Sequence, residues 1–197
     1  MKKLILFLVL LTVMFSMKAE QKVGEYTNSY FNKSFDIEAA EKNNKIESVY
    51  IGIPTDMESR KGFIEVKGKE LELFKTSLEL ARDKYIEWKR IAQENNVTDM
   101  SKEMGINFPK VTIAWHGTQW WFSFGNKINL KFLILDNGKM VASWAPEVTA
   151  SSNRYIDQRI YFVFGDEEDF NNLINQLDGD RILSELLKTK NNADLFQ

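Results

Sequence analysis

The chain has 197 residues, 44% of them hydrophobic and 27% charged, with three prolines and no cysteine. That composition excludes collagen-like, disordered and disulfide-scaffold chains. At this length one domain is expected, burying roughly 70% of the surface its unfolded chain exposes, so neither metal nor disulfide is needed to hold a core.

Met1, Lys2 and Lys3 make a short positive start, and the run from Leu4 to Met17 is apolar except for Thr12 and Ser16. This is the layout of a secretory signal peptide, with cleavage expected near Ala19 and an exported product in the periplasm, at the cell surface or outside the cell. The run has 14 residues, whereas a bilayer span takes about 17 to 25, so no stable membrane span is expected after cleavage. No cysteine follows it to carry acyl chains, which excludes a lipoprotein. Loss of residues 1–19 removes Lys2, Lys3 and Lys18 and no acid, leaving 23 basic against 28 acidic residues. A mildly acidic chain whose basic groupings alternate with acids is not a nucleic-acid binder. A disulfide-free exported chain fits a bacterial envelope better than a cystine-stapled extracellular module.

From residue 20 onward the pattern predicts one α+β domain of two or three layers. A mostly antiparallel sheet of about six to eight strands packs on one long amphipathic helix over about 69–94, and two short helices end the chain. Phe35 to Ala39 and Ile46 to Ile53 read as a hairpin around Asn43-Asn44, stopped by Pro54, and Phe63 to Val66 as a further strand closed by Gly68. Leu71, Phe74, Leu78, Ala81, Tyr85, Trp88 and Ala92 recur at helical spacing, which predicts a core helix ending near Asn95-Asn96; a coiled-coil seam is disfavoured by the bulk of Tyr85 and Trp88.

Over 109–146 the sequence predicts a central meander. A two-residue turn at Gly117-Thr118 would set Trp115 opposite Trp120, Ile113 opposite Phe122 and Val111 opposite Phe124. A three-residue loop at Gly125 to Lys127 would carry that apolar face on to Leu130, Phe132 and Ile134, and a turn at Asn137-Gly138 would pair Ile134 with Val141. The long helix is expected to seat on this face. Arg159 to Phe164 reads as another strand of the same sheet. The stripes Phe170, Leu173, Ile174, Leu177 and Ile182, Leu183, Leu186, Leu187 give the two closing helices, separated by Asp178-Gly179-Asp180. A frayed tail is expected from Asn191.

No nucleophile elbow, metal-ligand cluster, phosphate loop or cofactor motif is present, so no catalytic residue, metal or cofactor is assigned. His116, the only histidine, falls at a turn, several residue pairs from Ser123 on the same side of the expected meander. Asp166 to Asp169 begin a helix, where carboxylates cap the free amides. The second face of the expected meander sets Trp121, Lys131 and Trp144 side by side, a platform suited to flat ligand faces such as sugar rings. The competing outcome is that the C-terminal helices cover this face and take both tryptophans into a core. The expected role is a non-enzymatic binding or interaction module of the bacterial envelope or exterior, with a protein or glycan partner. The alternatives are a carbohydrate-binding module using Trp121 and Trp144, or a carboxylate-dependent envelope hydrolase.

Overall fold

The computed structural model describes the backbone of residues 20–194 and the side chains of residues 20–188; the expected signal peptide at 1–19 and the last three residues lie outside the described residues. The fold is α+β, with antiparallel sheets, one long helix and two C-terminal helices.

Strand β1 (Gln21–Asn28) pairs with β2 (Lys33–Lys42), and β2 turns into β3 (Lys45–Ile53) through Asn43 and Asn44, both in the left-handed region at φ 55° and 58°. That is the backbone a two-residue primed turn demands, and asparagine tolerates it, so this hairpin forms as expected. β4 (Gly62–Lys67) pairs with β3 and ends at Gly68, where a Cβ would fall 1.9 Å from the Ile46 carbonyl oxygen. One 3-10 turn, Gly68–Glu70, leads into α1 (Leu71–Glu94). Its seam Leu71, Phe74, Leu78, Ala81, Tyr85 and Ala92 is buried, as a core helix requires. The helix reverses at Asn96 (φ 52°), which lets the Val97 amide donate to the Ala92 carbonyl at 2.9 Å.

The remaining strands are β5 (Met100–Glu103), β6 (Val111–His116), β7 (Trp120–Asn126), β8 (Lys131–Ile134), β9 (Met140–Trp144), β10 (Glu147–Ala150), β11 (Asn153–Arg159) and β12 (Phe162–Phe164); α2 (Glu167–Gln176) and α3 (Gly179–Asp194) follow. They assemble into a six-stranded sheet in the order β1-β2-β3-β4-β6-β7, a four-stranded sheet β12-β9-β8-β5 and a ribbon β10-β11. Among the described residues twelve strands thus stand where six to eight were expected. β1 and β5, reading QKVGEYTN and MSKE, have too few apolar residues to alternate visibly.

The expected meander is divided, and three corrections follow. Neither Gly117 nor Thr118 has a positive φ, because a β-branched threonine resists the left-handed conformation a primed turn needs. The loop instead takes in Gln119, with the Gly117 amide donating to the Gln119 carbonyl at 2.9 Å, and Trp115 pairs with Trp121, Ala114 with Phe122 and Ile113 with Ser123. β7 does not lead into a neighbouring strand either. Its far edge is met by the Ser151 turn, whose amide donates to the Phe122 carbonyl at 2.8 Å, while Ile128 and Leu130 dive into the core toward the four-stranded sheet. At the third turn Gly138 (φ 76°) closes the three-residue loop Asp136-Asn137-Gly138, so Ile134 pairs with Met140, not Val141. The 159–164 strand also divides. Arg159 ends β11, and β12 joins β9 in the four-stranded sheet.

All three helices pack on one side of the six-stranded sheet, here called its inner face. α2 and α3 cover β1 to β3, and α1 wedges between β4 and the four-stranded sheet. Tyr85 on α1 is fully buried, its ring against Phe132 and Phe170 and its hydroxyl reaching the Met140 and Gly165 carbonyls at 3.1 and 3.0 Å. α2 is capped by Asp166, whose carboxylate accepts from the Asp169 amide, as its acidic start implied. Asp169 goes further. Its buried carboxylate accepts from the Ser29 amide and the Gly165 amide, both at 2.6 Å, and from the Ser29 hydroxyl at 3.0 Å, tying the β1–β2 turn to the start of α2. Asp178 caps α3 through the Arg181 amide at 2.8 Å, and α3 runs to Asp194, past the expected tail boundary at Asn191. Arg181 reaches under β1, where Gly24 leaves room: a Cβ there would lie 3.3 Å from the guanidinium and 2.3 Å from Gln176 Oε1.

Candidate functional site

The registers place the expected platform residues apart. Trp121 lies opposite Trp115 on the inner face of the six-stranded sheet and packs against the core. Lys131 pairs with Ser143 in the four-stranded sheet, so Trp144, one residue on, points to the other side, where it is buried opposite Phe162. Trp121, Lys131 and Trp144 therefore share no face. Trp144 is buried within the four-stranded sheet and Trp121 is half-buried against the core, but the C-terminal helices expected to cover them lie elsewhere: α2 and α3 pack on β1 to β3. His116 and Ser123 also part, since His116 pairs with Trp120 on the outer face while Ser123 pairs with Ile113 on the inner.

The same shift brings a different set of residues outward. Trp120, Phe122 and Phe124 stand at alternate positions of β7 and are 36%, 37% and 66% exposed. Trp120 packs edge-on to His116 (5.1 Å between centroids) and lies 5.8 Å from Phe63, while the Phe122 and Phe124 rings are parallel within 4° at 6.2 Å. Sequence alternation shows that these three share a face. It does not show which face, and Thr118 was the one local sign that the turn would be longer.

Beside the rings the outer face becomes polar. Lys22, Glu38, Tyr50, Glu65 and Thr112 form one row across β1, β2, β3, β4 and β6, each paired with the next. Glu65 accepts from the Ser48 hydroxyl at 2.9 Å and from Lys67. Burial pushes the Glu20 carboxyl above its ordinary range, helped by Glu38 and then Glu65 and opposed by a hydrogen bond from Tyr50. Burial likewise raises Glu38, with Asp36 adding to it and Lys61 and Lys22 opposing. Tyr50 is raised by burial and by the charges of Glu65 and Glu20.

At the end of the face nearest Trp120 a cleft of about 480 Å³ opens between Phe31, Phe35, Gly52, Arg60, Phe63 and Tyr161. Gly52 is its floor. A Cβ there would meet the Asp36 carbonyl at 2.9 Å. Arg60 is held in its wall by donation to Gln158 Oε1 at 2.6 Å, and the Lys61 carbonyl accepts from the His116 amide, joining the cleft to the β6–β7 turn. The face thus offers flat apolar rings, an array of acceptors and donors at strand spacing, and a recess. Among the described residues no three metal-ligating side chains converge and no helix is long and apolar enough to cross a membrane. The chain matches no family model, no curated protein and no solved structure.

Proposed function

We propose that the chain is an exported, non-enzymatic binding module that holds its ligand on the outer face of the six-stranded sheet. The observation that carries the reading is the row Trp120, Phe122 and Phe124, joined through Phe63 to an open cleft. Single exposed apolar residues are common on protein surfaces, but contiguous ones mark interaction sites. Export is supported by the Lys2-Lys3 start and the 14-residue apolar run that follows it. A bacterial envelope fits a cysteine-free chain.

A glycan is the ligand class this face favours, because Thr112 and Glu65 lie one and two strands from the rings and Tyr50 and Glu38 continue that polar row across the sheet. Sugars present flat C–H faces to aromatic rings and hydroxyls to carboxylates. Affinity electrophoresis through gels containing envelope and plant polysaccharides tests this. Retardation that Trp120→Ala and Phe124→Ala abolish, with the melting temperature kept, supports it; unretarded wild-type protein refutes the glycan, and a protein partner then takes its place.

A hydrolase reading has one observation in its favour, the pair Glu20 and Glu38, both held above the ordinary carboxylate range. It is tested in the same gels by reducing-end release, which Glu38→Gln must abolish.

A further inference from the structure

A second and smaller recess lies away from the outer face, where the last turns of α1 meet the edge of the four-stranded sheet. It holds about 150 Å³ and is walled by Trp88, Ile91, Val97, Met100 and Phe132. The helix reversal builds it: Asn96 in the left-handed region folds Val97 back over the Ala92 carbonyl, and β5 then passes beside Trp88. The lining side chains are apolar or aromatic, with one charged group among them. The Lys102 ammonium sits 4.8 Å from the centre of the Trp88 ring, and among the described residues no carboxylate is ion-paired with it. Lys84 lies 5.1 Å from the same ring, but its ammonium is held by the Met104 carbonyl at 2.7 Å.

We infer that this recess is a binding site for a small aryl carboxylate. Three observations converge on that class. A space of about 150 Å³ with apolar walls is the size that accepts a single benzene ring. Trp88 and Phe132, at 90° to each other with centroids 5.9 Å apart, both line it, so a ring entering the recess lies against aromatic carbon. Lys102 supplies a cation free of an ion pair at the wall, where a carboxylate gains a charge-assisted hydrogen bond. A neutral aromatic fits the space but not the charge, and a longer acyl chain fits the charge but not the space. The site is independent of the outer-face reading, since it shares no residue with it.

The test is calorimetric titration of the full chain with phenylacetate and, as the neutral match, 2-phenylethanol. Phenylacetate is expected to bind roughly tenfold more tightly, the ratio a charge-assisted hydrogen bond gives. Lys102→Met, which keeps the stem and removes the charge, is expected to bring the two affinities together while the ring still binds. Val97→Phe, which fills the recess, is expected to remove both. Absence of saturable binding to either compound, or a tenfold preference that survives Lys102→Met, overturns the inference. If Val97→Phe lowers the melting temperature, the Lys102→Met comparison decides alone.

Discussion

The two faces of the six-stranded sheet are made by the same strands, with side chains alternating from one to the other, yet they have different fates. Ile37, Val49, Ile51, Ile64, Ile113 and Trp115 on the inner face are at most fractionally exposed under three helices. The outer face carries carboxylates, Tyr50 and an aromatic row on β7 that no described helix covers. The contrast teaches that burial here is decided by where the helices can reach. The rings of β7 are as apolar as those of the core, and they stay outside because the β6–β7 turn has three residues.

Substitutions on the two sides should therefore separate stability from binding. The largest effect is expected inside: Trp115→Ala should cost about 4 kcal/mol and lower the melting temperature by about 10 °C in a thermal melt. Asp169→Ala should come next, at about 2–3 kcal/mol, because it strips the acceptor from the Ser29 and Gly165 amides. Phe124→Ser on the outer face should change stability by no more than about 0.5 kcal/mol. A loss like that of Trp115→Ala would mean the row is core after all.

The smallest effect is electrostatic. Glu20 and Glu38 titrate above their ordinary value of 4.5 in the folded chain. Between that value and their raised folded values the native state therefore holds more protons than the unfolded one, and their contribution to stability falls as pH rises through the window. Glu38→Gln should raise the melting temperature by about 1 °C at pH 7, and this advantage should vanish at pH 4, where both states are protonated.

How much of this was legible in the sequence depended on turn chemistry. The β2–β3 hairpin was legible because Asn43 and Asn44 both accept a positive φ, and α1 because seven apolar positions repeat at helical spacing. The meander was not, because a loop one residue longer than assumed moves every side chain of the next strand to the other face. That happened at Gln119, and again at the turn closed by Gly138. The candidate site suffered most, since it depended on two registers at once: setting Trp121 and Trp144 side by side with Lys131 needed two-residue turns at both hairpins, and with three-residue loops the three share no face. The Asp169 tie could not be read at all. It joins residues 140 apart in sequence, and no local pattern announces such a contact.

That tie also belongs to a set of contacts between the two ends of the described chain, which bears on how the chain folds. β1 to β3 are local hairpins, but their inner face is closed by α2 and α3 from the opposite end of the sequence. A nascent chain that has emerged only through β12 still shows Val23, Ile37 and Val49 to water. Contacts spanning most of the sequence carry a loop-closure cost before they return any burial, so folding is slow and finishes late. Until α2 and α3 arrive, β1 to β3 can pair with one another and with β4, but the part of their inner face that those helices cover stays open.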